Sequence, residues 1–486
     1  MKERLLTNIE PRDVLGYFED LTFIPRESGK EKEVSDFLVA FAKEKGLEVY
    51  QDEYYNVLIR KDATPGYENS TGVILQAHMD MVCEKNPGFE FDFSKDPIEF
   101  EIDGDNIVAR NTTLGADNGI GVAMAMAILA DDTLEHPAIE FLCTSDEESG
   151  MLGIENFNFN LLKGSRLINL DSSDEAVIVA GCAGGPDVRI DIPVERVDAD
   201  KDMEFFEFKI AGLIGGHSGE DIHLGRANAN KLLSRFFNRI SRRMDYAIAD
   251  IGGGLKSNAI PRNAFAVLGV SKAAAASLKE EVETYAKIIA EEYRVNDPEI
   301  TIEISAAEMP AAVLDEKSAA NVLAFITHCE TGILRMNQDY PEFVDSSSSI
   351  GVVTLYDEKA SMYLTERSST DSGHEYISET LIALAKLTGG TYNVLSNSPV
   401  WSYKPESEII SLYADIYEKM FGRKTSTIIL HAGVEAGMFA LRIDRDLDMI
   451  SIGADNRKLH SPGEYVGISS TGRVYDSLKE LLRQLK

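Results

Sequence analysis

Four short segments of the chain concentrate carboxylates and imidazoles: QAHMD (76–80), TTLGADNG (112–119), TSDEESG (144–150) and INLD (168–171). The first, third and fourth follow apolar runs of β type. His nitrogen and Asp or Glu oxygen hold divalent cations of the zinc class, and a paired site needs one carboxylate able to bridge both ions. His78, Asp117, Glu148 and Asp171, with a late His460 in DNRKLHSPGE, supply such a set. Two ions so held can acidify a water, polarise a carbonyl oxygen and leave a nearby base to handle protons, which is what peptide hydrolysis requires.

Asp80 lies two residues after His78, so in an extended segment the two side chains face the same way. A carboxylate beside a metal-binding imidazole fixes its tautomer and raises its basicity. Glu147 and Glu148 are adjacent and can divide the work of ligand and general base between them, their like charges helping to keep a proton on one. Serine chemistry fits less well, since no GxSxG elbow is present and HSG at 217–219 has no acid–base partner at useful spacing. GADNGIG lacks the full GxGxxG of a dinucleotide loop.

The elements that would position these groups alternate. Two amphipathic helical patterns occupy 12–48, broken at IPRESG, and strands follow at NVLIR and GVILQAH. GIGVAMAMAILADD reads as a buried helix opening just after Asp117, followed by the strands IEFLCTS and RLINLD. In an α/β sheet functional groups collect beyond the carboxyl ends of strands, where His78, Glu147, Glu148 and Asp171 all fall. After AGCAGGPD (180–187) the texture becomes strand-rich and charged. A second block, from IGVVTLYDEKASMYLTERSS into HEYISETLIALAKLTGG, loosely repeats the strand and helix order of the first, which leaves an internal duplication as one of two readings. Helix and strand alternation resumes from PVWSYKPE. A ligand as late as His460 then makes 187–396 an inserted domain within a discontinuous catalytic domain of 1–186 and 397–486.

With 486 residues, two domains are the expectation. Lys and Arg total 48 against 81 Asp and Glu, and the net charge of −33 opposes binding to nucleic acid or anionic membranes. The N-terminus has no continuous apolar signal region and no stretch approaches a membrane span, so a cytoplasmic location is expected. Cys83, Cys143, Cys182 and Cys329 are isolated and are assigned no chemistry, nor are His136, His223 and His328.

At the quoted motifs, and along essentially its whole length, the chain resembles the aminoacyl-histidine dipeptidases (Xaa-His dipeptidases, also called cytosolic non-specific dipeptidases), a branch of the di-zinc metallopeptidases. The resemblance implies an α/β fold, a catalytic domain with a mixed sheet flanked by helices, carrying an inserted α+β lid domain. It implies that His78 and Asp171 bind one zinc, Glu148 and His460 the other, and that Asp117 bridges them. It further implies that Asp80 orients His78 and that Glu147 is general base and acid. In GGHSG (215–219), His217 becomes a transition-state hydrogen-bond donor. By a looser match Asn258 and Arg367 hold the substrate, Arg367 as a fork for its carboxylate, with His431 and Gly433 of HAGVEAG lining the pocket.

The expected activity is hydrolysis of unblocked dipeptides, Xaa-His dipeptides of the carnosine kind included, and that histidine preference comes wholly from the resemblance. The cofactor is two divalent ions, zinc first, with manganese or cobalt compatible with the same donors. The expected partner is a small peptide, and the assembly a monomer or homodimer. Deacylation of N-acyl amino acids on the same site is the nearest rival. A non-catalytic scaffold is disfavoured because every ligand position and Glu147 are present.

Overall fold

The apolar runs that precede the acidic segments fold as neighbouring strands. In a computed structural model, which describes residues 4–338 and 340–486, the chain divides into two compact units. One comprises residues 1–181, 403–429 and 434–486, the other residues 182–402 and 430–433.

The first unit is built on an eight-stranded sheet in the order Glu48–Gln51, Val57–Lys61, Ile139–Thr144, Val73–His78, Arg166–Asn169, Asp448–Ser451, Val177–Cys182, Ser426–Leu430. Its centre is parallel, from Ile139–Thr144 through Val73–His78 and Arg166–Asn169 to Asp448–Ser451, and Val57–Lys61 joins it antiparallel. Every residue of Val73–His78 and of Ile139–Thr144 is buried, as expected of strands covered on both faces. His78 pairs with Thr144, each the last residue of its strand, so the chain leaves both strands at the same edge of the sheet.

The helix Ala116–Ala130 is apolar on all sides and packs on Val73–His78 and on the helix Arg12–Leu21, the behaviour of a helix with no solvent face. Asp117 and Asn118 have non-helical backbone angles, so regular helix begins only after them and the Asp117 side chain is set by loop geometry.

The second unit is a nine-stranded antiparallel sheet with helices Ala229–Ile240, Ala275–Glu292, Glu316–His328 and Asp371–Leu387. Strands such as Gly185–Pro193 alternate buried and part-exposed residues, the pattern of a sheet with one face on a core and one toward solvent. Leu232, Phe236, Leu278, Phe325 and Leu381 from the helices share one core with Phe208, Leu268 and Leu364 from the strands.

The topology of this unit carries the repetition that the sequence shows only loosely. Met203–Ala211, Ala229–Ile240, Tyr246–Gly253, Ala264–Ser271, Ala275–Glu292 and Thr301–Ala306 follow one another as βαββαβ. Gly185–Pro193, Glu316–His328, Val344–Leu355, Lys359–Ser368, Asp371–Leu387 and Thr391–Ser398 repeat that order, with one extra strand, Gly332–Met336. Corresponding strands hold corresponding places outward from the central pair Tyr246–Gly253 and Val344–Leu355, which meet antiparallel at Gly252 and Thr354. The first copy is inserted between the leading strand and first helix of the second. That interruption weakens the linear signal of duplication, because one copy is not contiguous in sequence.

Gly185 pairs with Ser398, and the crossings between units fall outside that pair, at 181/182 and 402/403. Residues 430–433 join the second unit, where the N–H of Ala183 donates to the carbonyl of Leu430 at 2.8 Å. Among the described residues no helix is long and apolar enough to cross a membrane, and all four cysteines are unbonded thiols.

Candidate metal centre

His78 ends its strand fully buried, with Nε2 3.1 Å from Oδ1 of Asp117 and 3.5 Å from Oδ1 of Asp171. The other oxygen of Asp117, Oδ2, stands 3.3 Å from Nε2 of His460, and that nitrogen is 3.0 Å from Oε2 of Glu148. Asp117 therefore faces His78 with one oxygen and His460 with the other, and Asp171 and Glu148 stand beside those two imidazoles. Two donors bonded at about 2.0–2.1 Å to one tetrahedral ion stand roughly 3.3 Å apart, so these separations suit ligands sharing a centre. His78, Asp117 and Glu148 each offer a ligand atom within 4.8 Å of the others, and the buried Oε1 of Glu148 has no hydrogen-bond partner.

The local backbone explains how distant residues converge. Asp146, two residues beyond the strand Ile139–Thr144, adopts φ +57°, an αL turn that Asp tolerates better than most residues. The turn sends the N–H groups of Glu147 and Glu148 to the two oxygens of Asp80, both at 3.1 Å. Asp80, itself fully buried, also accepts from Ser28 at 2.8 Å and lies 3.3 Å from Nδ1 of His78. Asn118 donates from Nδ2 to Oδ1 of Asp171 at 2.6 Å and to the carbonyl of Leu170 at 2.8 Å. His460 takes φ +57° on a loop and is half exposed.

Charge on the cluster is unbalanced. Burial, reinforced by Asp117 and Glu148, pushes Asp171 up to about 6 despite His78. Burial, with Asp171, Glu435 and Glu148, drives Glu147 well above the usual carboxylate range. His460, hydrogen-bonded by Asp117 and Glu148, rises to about 10. His78 is raised too, Asp171 and the bonds to Asp117, Asp171 and Asp80 outweighing its burial. Asp171, Glu147 and both imidazoles are thus drawn to hold protons, while the bonds from His460 and His78 hold Asp117 below the usual carboxylate range against its burial. A divalent cation, whose ligands bind deprotonated, meets the same charge without those protons. The donor set therefore fits divalent metal.

Three further groups of this unit escaped sequence reasoning. Glu435 is buried and accepts from Gln76 at 2.6 Å and Thr144 at 2.7 Å, and burial pushes it up to about 8. Glu464 and Arg26 hold the backbone around Asp117. Glu464 stands four residues after His460 in the same motif, and Glu435 lies within HAGVEAG.

The second unit brings four of the remaining residues together. Nδ1 of His217 accepts the N–H groups of Gly219 at 3.3 Å and Glu220 at 3.1 Å. That leaves Nε2 carrying the proton of the neutral ring, and burial with the nearby Arg367 lowers its pKa. His217 pairs with Ala259 beside Asn258, whose carbonyl accepts from Ser218 at 2.8 Å and whose side chain is exposed. Arg367 is buried with Nε unpartnered. A Cβ on Gly219 would lie 2.0 Å from the carbonyl of His431 and 3.0 Å from Nε of Arg367, so only glycine lets the three approach. His431, pushed down to about 3 by burial and Arg367, shares a 2.7 Å hydrogen bond with Ser347. Gly433 lies apart from these, against Ser398.

Comparison with known proteins gives concordant results. The sequence model of Peptidase family M20/M25/M40 matches residues 74–484. A cytosol non-specific dipeptidase of Escherichia coli strain K12 is 38% identical over 480 residues, covering 99% of each chain. The crystal structure of an aminoacylhistidine dipeptidase from Vibrio alginolyticus aligns with TM-score 0.91 at 35% identity, over 99% of this chain and 98% of that one. An M20 family metallo-carboxypeptidase from Sulfolobus solfataricus shares the fold at TM-score 0.54 and 15% identity, over 97% and 99% of the two chains.

Proposed function

The chain belongs to peptidase family M20/M25/M40, and on that premise we propose that it is a metal-dependent dipeptidase, cleaving unblocked dipeptides that include Xaa-His substrates. The observation that carries the reading is Asp117 standing between two half-sites, His78 with Asp171 on one side and His460 with Glu148 on the other. Likeness to a cytosolic dipeptidase and to an aminoacylhistidine dipeptidase over nearly the full length supports the substrate class and a cytoplasmic location.

In this reading His78 and Asp171 hold one divalent ion, Glu148 and His460 a second, and Asp117 both. Zinc is the assignment, and manganese or cobalt suits the same donors. When bound, such ions lower the pKa of water and polarise a carbonyl oxygen. Glu147 accepts the proton of the attacking water and returns it to the leaving amine. Asp80 orients His78 and holds the turn that presents Glu147 and Glu148.

His217, neutral with Nε2–H free to donate, is assigned to the developing oxyanion. Arg367 and Asn258 are assigned to the substrate's carboxylate, and His431 and Gly433 to the lining of the substrate pocket.

The test is a side-by-side assay of zinc-loaded protein on free dipeptides, Xaa-His members included, and on N-acetyl amino acids. Preferential cleavage of free dipeptides is expected. Faster cleavage of the acetylated set would replace this reading with deacylation.

A further inference from the structure

Glu464 is 1% exposed, and its carboxylate is taken up by backbone N–H groups. Its Oε2 accepts the N–H of Leu114 at 2.7 Å and of Gly115 at 2.9 Å, and its Oε1 the N–H of Ala116 at 2.9 Å and of Asp117 at 3.2 Å. Four consecutive backbone donors thus converge on one side chain, two per oxygen. Each oxygen takes two N–H donors, the bonding that suits a carboxylate, although burial, with Asp117 nearby, pushes the group above the usual carboxylate range. Convergence of this kind needs the chain curled, and Gly115 supplies the turn at φ +70°.

Arg26 grips the same turn through one carbonyl and the segment after His78 through two. It is 2% exposed, and Nη1 donates to the carbonyls of Met79 at 3.1 Å and Asp80 at 3.2 Å, while Nη2 donates to the carbonyl of Gly115. A Cβ on Gly115 would lie 2.4 Å from Nη2 of Arg26 and 2.7 Å from Sδ of Met81, so the guanidinium occupies the space a side chain would need. Gly115 is held by its N–H on a buried anion and by its C=O on a buried cation.

The two clamps connect three ligand-bearing segments. Arg26 ties the residues just after His78 to the loop that delivers Asp117. Glu464, four residues beyond His460, ties that loop to the segment that delivers His460. Asp117 and the two imidazoles between which it stands thus have their backbones fixed to one another by two side chains that bond to backbone groups.

We propose that Glu464 and Arg26 are positioning residues for the metal centre, setting the two oxygens of Asp117 toward His78 and His460 at the separation two ions require. This rests on the metal-dependent reading above. Loss of either clamp frees the 114–117 turn, misaims Asp117 and weakens metal binding and turnover together, while substrate binding, which uses other residues, is little changed.

The test uses the full-length chain with zinc as probe. Zinc affinity is measured by competition with a chromogenic chelator, kcat and KM on a dipeptide, and the melting temperature in excess chelator. For Glu464→Gln, whose amide can accept from only one side, the expected result is roughly 10–100-fold weaker zinc binding with a parallel fall in kcat, KM staying within about threefold. Glu464→Asp, which keeps the charge, and Arg26→Lys, which loses the fork, are expected to lie between wild type and Glu464→Gln, and they serve if that variant does not fold. Zinc affinity and kcat within about threefold of wild type in these variants would overturn the proposal. So would a lowered melting temperature with zinc affinity per folded molecule unchanged. If wild-type protein binds no zinc, the metal-dependent reading itself fails, a result distinct from equal binding by wild type and variant.

Discussion

Oδ1 of Asp80 accepts the backbone N–H of Glu147 at 3.1 Å, and the same oxygen stands 3.3 Å from Nδ1 of His78. One buried carboxylate therefore sets both the imidazole that would bind metal and the peptide that carries the proposed base. Asp80→Asn keeps the shape but removes the charge and puts an amide donor against N–H groups. We expect kcat and zinc affinity each to fall about 10–100-fold, measured by steady-state kinetics and chelator competition.

Glu147 and Asp117 should separate chemistry from metal binding. Glu147→Gln removes the proton carrier but no proposed ligand, so kcat should fall by about 10²–10⁴-fold with zinc stoichiometry retained. Asp117→Ala should lose metal and turnover together. Metal analysis of the two purified variants beside their rates decides the matter, and full turnover by Glu147→Gln would remove Glu147 from its role.

His217 has its tautomer set by the N–H groups of Gly219 and Glu220. If its Nε2–H stabilises charge only in the transition state, His217→Ala should lower kcat by about 10²–10³-fold and leave zinc affinity untouched. A change confined to KM would instead indicate ordinary substrate binding. Because burial and Arg367 lower its pKa, any limb of the pH–rate profile due to His217 should fall below the usual histidine range and vanish in the variant.

Glu366 offers a test of stability against pH away from the metal centre. It is fully buried in the second unit, accepting from Ser378 at 2.6 Å and Tyr392 at 2.9 Å, and burial pushes it up to about 7 against those two bonds. Between the ordinary carboxyl value, 4.5, and about 7 the folded chain holds a proton that the unfolded chain has released. Stability from this residue is thus fully present below that window, falls as pH rises through it, and is flat above, a loss of roughly 3 kcal/mol at most. Glu366→Gln should flatten this decline. Urea midpoints of wild type and variant at a series of pH values from 4.5 to 8 provide the measurement, and parallel curves would refute the assignment.

Much of the site is legible in the linear chain because four of the five candidate ligands lie where a regular pattern stops. His78 ends one all-buried strand and Glu148 follows another, Asp171 follows Arg166–Asn169, and Asp117 precedes a helix apolar on every side. The same periodicities define the mixed sheet and its flanking helices. The duplication in the second unit was harder to see, since the leading strand of one copy is separated from its first helix by the whole of the other.

Residue types and local periodicity determined the donor chemistry and the strand ends that carry it, because both depend on neighbours within a few positions. Only tertiary structure decided that Glu464 would close on four N–H groups some 350 residues earlier. It alone decided that Arg26 would bind carbonyls from two loops, and that His431 and Arg367 would meet across Gly219. Buried backbone donors and acceptors must find partners wherever the fold brings them, and that requirement leaves no periodic trace in the sequence.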